Sequence, residues 1–262
     1  MKLIYGTAWK KERTAELVEL ALKTGFKGVD TACQPKHYNE PGVGEGIANS
    51  GIKREDLFLQ TKFTSIAGQD PETIPYDPSA PLEAQIKKSL ETSLVNLKTD
   101  YLDSLVMHSL MNSFEETLEG WKVMESFVRD GKVRQLGISN CYDDEYFKAL
   151  YEKTELKPAV LQNRFYADSG YDVELRAFCK DKGITYQSFW TLSANPHILE
   201  GQTVMDLAKK YGTTPAVILY RCLSETGVVP LCGTKSEVHM KEDLALYDFE
   251  ISADEVSRVI PS

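Results

Sequence analysis

Short runs rich in β-branched and aromatic residues alternate along this chain with longer runs whose apolar residues recur at three- and four-residue spacing. The short runs predict strands and the longer runs predict helices. Strict alternation of the two favours a parallel sheet, and eight such repeats can close into a barrel. We therefore predict an α/β fold, a (β/α)8 TIM barrel, as a single domain over residues 1–262. The predicted strands are 3–5, 28–31, 57–62, 104–108, 135–139, 159–162, 184–189 and 228–231, and the predicted helices are 14–22, 43–49, 82–97, 117–129, 143–152, 172–182, 204–211 and 251–262.

Asp30, Lys62 and His108 lie at the ends of predicted strands, and Tyr38 follows Asp30 by eight residues. Active sites of (β/α)8 barrels lie at the carboxyl ends of the strands. A tyrosine hydroxyl has a pKa near ~10, and a neighbouring ammonium favours its phenolate, so Lys62 should lower the pKa of Tyr38 and ease proton donation. Asp30 should keep Lys62 charged, and His108 should orient a substrate oxygen. Together these residues predict the reduction of a carbonyl group, with Tyr38 as the general acid and a cofactor as the hydride donor.

Each of these residues also has a purely structural interpretation. An aspartate at a strand end often caps a helix, a tyrosine can simply pack, and a lone histidine is usually a hydrogen-bonded core residue. Lys62 is harder to explain this way, because an ammonium that closes an apolar strand must find a counter-charge. The four residue types in succession favour the catalytic interpretation.

Composition restricts the partners and the compartment. The formal net charge of -9 and the pI near 5.1 argue against nucleic acid or an anionic membrane as the main partner. No run approaches the ~18 apolar residues of a membrane helix, and no signal peptide precedes the first strand, so a cytoplasmic protein is expected. The five cysteines are scattered without a Cys-x-x-Cys pair, which predicts neither disulfides nor a structural zinc site. Cys33 and His37 lack a third ligand, so we predict no metal.

Two further segments invite a functional interpretation. The glycine-rich run 42–46 lacks the third glycine of a dinucleotide fingerprint and follows a polar loop, so we interpret it as the entry to the helix predicted over 43–49. The long connection 63–81 is rich in proline and follows the strand that carries Lys62. Long loops in compact domains are commonly functional, so we predict that it forms a wall or lid of the active site.

The chain also contains, in this order, the motifs G-V-D-T-A, Y-N-E-x-x-V-G, T-K, a strand-end His, G-K-V-R-Q-L-G-I-S-N and G-T-x-x-x-x-H-M-x-E-D. They cover nearly the whole chain and resemble the aldo-keto reductase superfamily. The resemblance implies NADPH bound across the barrel mouth without a Rossmann motif, and it matches the catalytic residues of that family to Asp30, Tyr38, Lys62 and His108. It further implies cofactor contacts at Gly6, Thr7 and Asp30, at Ser139, Asn140 and Gln162 around the carboxamide, at Phe189 against the nicotinamide ring, at Trp190, Thr191 and Leu192, and at Gly233, Thr234, Lys235, His239, Glu242 and Asp243 around the adenosine and its 2′-phosphate. Trp9, Tyr38 and His108 are implied as substrate contacts.

The sequence departs from the family pattern at several places. Tyr38 follows its aspartate by eight residues instead of the usual five, because of the segment 34–37, and Trp190 stands where serine is common. His239 stands where many members carry an arginine for the 2′-phosphate, which leaves Lys235 as the main cation. We therefore expect NADPH as the cofactor, with NADH as a second one. The sequence shows neither the N-terminal hairpin nor the long C-terminal loop of many members, which predicts an open pocket.

The leading hypothesis is an NADPH-dependent aldo-keto reductase that acts on a small carbonyl substrate as a monomer. The alternative is a regulatory barrel that binds the cofactor and turns over little, although such a protein has no chemical need for an activated acid. A metal-dependent barrel hydrolase would need more His and acidic residues at the strand ends. The sequence identifies neither the physiological substrate nor the direction of the reaction.

Overall fold

Eight parallel strands form a closed barrel in chain order in the computed structural model, which describes residues 3–260. Each strand pairs with the next along the chain, and the last pairs with the first through Tyr5 and Cys232. The predicted (β/α)8 barrel is therefore confirmed, while residues 1, 2, 261 and 262 of the predicted domain lie outside the described residues. The strands are β1 Ile4–Gly6, β2 Gly28–Asp30, β3 Phe58–Phe63, β4 Ser104–Met107, β5 Leu136–Ser139, β6 Val160–Arg164, β7 Thr185–Phe189 and β8 Val229–Cys232.

The helices lie between the strands and continue after β8. They are α1 Thr14–Thr24, α2 Glu40–Ser50, α3 Leu82–Asn96, α4 Phe114–Arg129, α5 Asp144–Lys153, α6 Val173–Lys182, α7 Pro196–Leu199, α8 Gln202–Tyr211, α9 Pro215–Glu225, α10 Glu237–Leu244 and α11 Ala253–Val259, with short 3-10 segments at Lys11–Arg13, Arg54–Asp56, Ile66–Gly68, Ala167–Asp172 and Ala245–Tyr247. A capping box formed by Ser252 and Glu255 starts α11, inside the helix predicted over 251–262. No hairpin precedes β1 within residues 3–260, and none of the helices described there is long and apolar enough to cross a membrane.

Three helices, α7, α9 and α10, were not predicted from the sequence, for different reasons. All residues of α9 from Val217 to Leu223 are buried, so the helix has no polar face that would produce an amphipathic period. In α10 only Met240 and Asp243 are buried, and α7 has a single turn. Pro215 at the start of α9, with the Thr214 side chain accepting from Val217 N, was the available signal.

The glycine-rich run lies inside α2 and serves helix packing. A Cβ at Gly46 would lie 2.6 Å from the Ala15 carbonyl oxygen of α1, and one at Gly44 would collide with the Asn96 carbonyl at the end of α3. Because no side chain fits at these positions, the glycines allow α2 to approach both neighbours closely. The expected helix entry is in fact made one turn earlier, where the Asn39 side chain accepts from Gly42 N.

A layer of buried amides inside the barrel supports the strand ends. Gln60 donates to the Gln187 side chain at 2.7 Å, and Gln162 donates to the same oxygen at 2.8 Å. Both amides also donate to Asp30 Oδ1, at 2.7 and 3.0 Å. The layer therefore fixes one carboxylate oxygen at the carboxyl end of the barrel.

Candidate active site

A cavity of about 930 Å³ opens at the carboxyl ends of the strands, where the sequence analysis placed the site. Three of its lining residues, Trp9, Asn140 and Trp190, have positive φ angles of 62°, 55° and 55°. These residues follow β1, β5 and β7. A positive φ angle is unfavourable for a non-glycine residue, and residues in such conformations cluster at functional sites. The Trp9 ring lies 3.9 Å from the His37 ring, centroid to centroid, so the segment 34–37 adds an aromatic wall to the cavity.

Asp30 and Lys62 form a buried ion pair at the floor of the cavity. Lys62 Nζ donates to Asp30 Oδ1 at 2.7 Å, to Asp30 Oδ2 at 2.6 Å and to the Thr31 carbonyl at 2.8 Å. The three donors of the ammonium are thus all used, and both side chains are almost fully buried. Burial lowers the pKa of Lys62, and the charge of Asp30 opposes that shift. The counter-charge expected for Lys62 is the one found.

Tyr38 lines the cavity above this pair despite its unusual spacing. Its ring lies 5.4 Å from Lys62 Nζ and 5.9 Å from the His108 ring, measured to the centroids. Within residues 3–260 its hydroxyl makes no hydrogen bond. The structure therefore brings together the four residues predicted for catalysis and leaves the phenol oxygen available to a ligand.

The prediction that the pKa of Tyr38 is lowered is wrong, because the pKa is raised. Burial raises the pKa of Tyr38, and the negative charge of Asp30 raises it further. The reason is that Asp30 is in contact with Lys62 and offsets the field of the ammonium, while the ring has lost most of its solvation. Tyr38 is consequently harder to ionise than a free phenol.

His108 follows β4 and is neutral. Burial, with a further effect of the Lys62 charge, lowers the pKa of His108 to about 3. Its Nδ1 lies 2.7 Å from Thr64 Oγ1. If the threonine hydroxyl donates in this contact, the proton of the imidazole is on Nε2, which can then donate to an oxygen in the cavity.

The long loop over residues 63–81 supports this contact and does not enclose the cavity. Tyr76 Oη donates to the Thr64 carbonyl at 2.6 Å, and Gln69 Nε2 donates to the same carbonyl at 3.2 Å. None of the described residues of this loop lines the main cavity. The predicted wall or lid is therefore wrong, and the loop instead holds the residue that contacts His108.

The residues expected around a nicotinamide lie together on β5, β6 and β7. Ser139, Asn140, Gln162 and Phe189 all line the cavity. Asn140 Nδ2 donates to the His108 carbonyl at 2.8 Å, and Ser139 Oγ donates to the Gln162 carbonyl at 2.6 Å. Asn140 Oδ1 already accepts from Tyr142 Oη at 3.3 Å, whereas Gln162 Oε1 accepts no hydrogen bond from the described residues and is available to a carboxamide.

The rim of the cavity holds the remaining candidates, with one exception. Gly6, Trp190, Thr191, Leu192, Gly233, Thr234, Lys235, His239, Glu242 and Asp243 line it as expected. Thr7 does not, because it is fully buried and donates through Oγ1 to the Asp30 carbonyl at 2.9 Å. Thr7 thus supports β2 from below the cavity. Asp243 accepts from Cys232 Sγ at 3.0 Å, and burial raises the pKa of its carboxyl.

Two cationic residues of the cavity were not predicted from the sequence. Lys10 donates to the Gly233 carbonyl, and burial lowers its pKa to about 8. Arg164 ends β6 and lies two residues after Gln162, hence on the same face of that strand. Position in the sequence could have indicated both residues, because Lys10 directly follows Trp9 and Arg164 lies at the end of a strand.

Comparison with known proteins gives a consistent result. The profile of the Aldo/keto reductase family matches residues 2–260. The glyoxal reductase of Bacillus subtilis (strain 168) is 31% identical over 245 residues, which cover 93% of this chain and 81% of that protein. The methylglyoxal reductase DkgA of Escherichia coli (strain K12) is 27% identical, over 95% of this chain and 84% of that protein.

Solved structures share the barrel over nearly the whole chain. An aldo/keto reductase from Brucella melitensis superposes with a TM-score of 0.83 at 27% identity, covering 98% of this chain and 93% of the other. An aldo-keto reductase in complex with NADPH superposes with a TM-score of 0.80 at 22% identity, covering 98% and 83%. The second match shows the fold alone.

Proposed function

Because the chain belongs to the aldo/keto reductase family of NAD(P)H-dependent oxidoreductases, we propose that it reduces the carbonyl group of a small aldehyde or ketone with NADPH as hydride donor. The observation that carries the proposal is the free hydroxyl of Tyr38, which faces the cavity beside His108 and above the buried pair of Lys62 and Asp30. A phenol without a protein partner, kept protonated and next to a neutral imidazole, suits the transfer of a proton to a carbonyl oxygen.

The residues of the cavity fit an extended dinucleotide. The cavity reaches from Tyr38 and His108 at one side to Lys235 and His239 at the other. Lys235 Nζ makes no ion pair or hydrogen bond with the described residues, so it can meet a phosphate. Phe189, half-buried at the end of β7, can lie against a nicotinamide ring, with Ser139, Asn140 and Gln162 at its carboxamide.

When bound, the reduced cofactor supplies a hydride to the carbonyl carbon. Tyr38 Oη then gives its proton to the carbonyl oxygen, on which negative charge develops, and His108 Nε2 donates a hydrogen bond that orients the same oxygen. This role of Nε2 requires that Thr64 Oγ1, which lies 2.7 Å from His108 Nδ1, donate the hydrogen bond between them. Lys62 and Asp30 form a buried ion pair at the floor of the cavity, and its two charges stay at fixed positions next to Tyr38.

We further propose that NADPH is preferred and that NADH is also used. Lys235 is the cation available for a 2′-phosphate, and His239 offers a weaker charge than an arginine at that position would. Glu242 and Asp243 line the same end of the cavity and limit the preference by repelling a phosphate.

The substrate class we propose is small aldehydes, among which 2-oxoaldehydes and aromatic aldehydes come first. Two of the relatives are named as reductases of glyoxal and methylglyoxal. Trp9 and Trp190 are both half-exposed and offer apolar walls to a flat substrate. We propose that the protein is cytoplasmic, which the buried and unpaired state of its five cysteines supports. We also propose that it acts as a monomer.

The test is to follow NADPH and NADH absorbance with a panel of methylglyoxal, benzaldehydes, aliphatic aldehydes, ketones and aldoses. We expect turnover of the aldehydes and poor kcat/KM for aldoses. Tight binding of NADPH without turnover of any carbonyl in either direction would contradict the proposal and favour a regulatory barrel.

A further inference from the structure

Arg164 is the last residue of β6 and faces the mouth of the cavity. It pairs in register with Phe189 at the end of β7, and its side chain lies on the same strand face as that of Gln162, one pleat closer to solvent. This guanidinium therefore lies at the outer edge of the region proposed for the nicotinamide. The reaction described above assigns it no task.

Two aromatic rings hold the side chain in place. The guanidinium carbon lies 4.2 Å from the centroid of Trp190 and 5.0 Å from that of Tyr166. Trp190 itself is 50% exposed and has a φ of 55°, so its backbone adopts a disfavoured conformation at the point where the indole meets Arg164. Stacking uses the flat faces of a guanidinium and leaves its N–H edge free for an oxygen ligand.

That edge has no acceptor in the part of the chain that the structure describes. Arg164 Nε is buried and has no hydrogen-bond partner, and neither terminal nitrogen makes an ion pair or hydrogen bond with residues 3–260. The other arginines of these residues donate to a carboxylate or carbonyl oxygen, as Arg54 does to Asp103 at 2.8 Å. A half-buried cation without a counter-charge is costly unless a ligand provides one.

The geometry points to Arg164 as an anion-binding residue of the cavity, with Trp190 as its positioning residue. We infer that the anion is the pyrophosphate of the bound dinucleotide, because that group must cross the rim between Phe189 and Lys235, and the guanidinium lies against Trp190, the residue that follows Phe189 at the start of this path. A carboxylate on the substrate has the same chemistry and is the other source. The inference rests on the proposed function, but the binding of anions can be measured without any turnover.

The first experiment is calorimetric titration of the wild type, Arg164→Met and Arg164→Lys with NADPH, ADP-ribose, inorganic pyrophosphate and adenosine 2′-monophosphate. We expect Arg164→Met to weaken NADPH and ADP-ribose by about tenfold or more, the effect of losing a charge-assisted contact. Arg164→Lys should recover part of the affinity, and the 2′-monophosphate, which reports on Lys235, should bind unchanged. Arg258→Met is the matched control, since it removes an exposed guanidinium from α11, outside the cavity.

The second experiment distinguishes the two sources of the anion. Steady-state KM values for succinic semialdehyde and butanal, which have the same chain length and differ by the carboxylate, are compared in the wild type and Arg164→Met. A rise of about tenfold for succinic semialdehyde alone, with unchanged ADP-ribose binding, would assign the anion to the substrate.

Circular dichroism melts of all variants establish that they are folded. Equal affinities of wild type and Arg164→Met for NADPH, ADP-ribose and pyrophosphate, together with equal KM values for both aldehydes, would overturn the inference. If the wild type reduces no carbonyl compound but Arg164→Met still weakens ADP-ribose, the proposed function fails and the anion site stands.

Discussion

The hydroxyl of Tyr38 can be removed with little effect on the fold. Replacement by phenylalanine keeps the ring, which lies 5.9 Å from the His108 ring and 5.4 Å from Lys62 Nζ. No hydrogen bond within residues 3–260 is lost, because the hydroxyl has no partner there. We therefore expect Tyr38→Phe to change the free energy of unfolding by no more than about 0.5 kcal/mol.

The effect on the reaction should be much larger. Loss of a general acid lowers kcat by roughly 10²–10⁴-fold, which corresponds to about 3–5 kcal/mol in the activation free energy. The neighbouring groups cannot replace it, since His108 has a pKa of about 3 and Lys62 directs its three donors to Asp30 and Thr31. The pKa of Tyr38 is raised, so its hydroxyl ionises at a higher pH than that of a free phenol. We therefore expect kcat of the wild type not to fall as the pH rises to the pKa of a free phenol.

Single-turnover stopped flow with NADPH and its 4-deuterated form measures the hydride step directly. Calorimetry should give the same NADPH Kd for Tyr38→Phe and wild type. The control is Tyr146→Phe, which removes a hydroxyl bonded to Thr117 outside the cavity and should leave kcat unchanged. Near-normal turnover of Tyr38→Phe would refute the assignment of the acid and make His108 the first residue to test.

Four further outcomes are expected. Lys235→Met should weaken NADPH by roughly 1.5–3 kcal/mol and NADH much less; equal losses in calorimetry would contradict its role at the 2′-phosphate. Asp30→Asn leaves Lys62 buried without its counter-charge and should cost about 3–5 kcal/mol in urea unfolding, whereas the double variant with Lys62→Met should cost less than the sum; additivity would argue against the pair. Thr64→Val should lower kcat/KM about tenfold by removing the donor to His108 Nδ1, a typical cost for one such hydrogen bond, and Thr64→Ser should retain activity; equal activity of all three would exclude the tautomer control. Since the folded pKa of His108, about 3, lies below its unfolded value of ~6.5, protonation favours the unfolded chain. The free energy of unfolding should therefore fall by up to about 1.4 kcal/mol per pH unit as the pH drops from ~6.5 to about 3, and urea unfolding of His108→Asn should show a weaker dependence of this free energy on pH.

The strands and the four catalytic candidates could be predicted from the sequence because their signals are local. A parallel strand buried on both faces is a short apolar run, and a polar residue at its end marks the active-site side of a barrel. Asp30, Lys62 and His108 needed only this rule. The roles assigned to them remain proposals, whereas their proximity is a property of the structure.

Other features depend on contacts that no local pattern records. Thr7 lies beside Gly6 in the sequence, yet its side chain turns to the Asp30 carbonyl and away from the cavity. The prolines of the loop 63–81 suggest a lid, but Tyr76 donates to the Thr64 carbonyl at the start of the same loop, and Gln69 donates to the Cys33 carbonyl after β2. The direction of the Tyr38 pKa shift depends first on how deeply the ring is buried and then on the nearby charge of Asp30. To predict any of these features, one must know where another part of the chain lies in the folded structure.

The segment 34–37 shows how a longer spacing can leave Tyr38, the proposed general acid, at the cavity. His37 N and Tyr38 N both donate to the Gln34 carbonyl, at 3.1 and 3.0 Å, so the extra residues close into one tight turn. A turn of this kind consumes about four residues while advancing the chain by only ~5 Å. Gln34 Nε2 anchors the turn to the Gly68 carbonyl at 2.6 Å, and Trp9 N donates to the His37 carbonyl at 2.8 Å. The extra residues therefore form a turn in the cavity wall that contains His37, and Tyr38 still lines the cavity near Lys62.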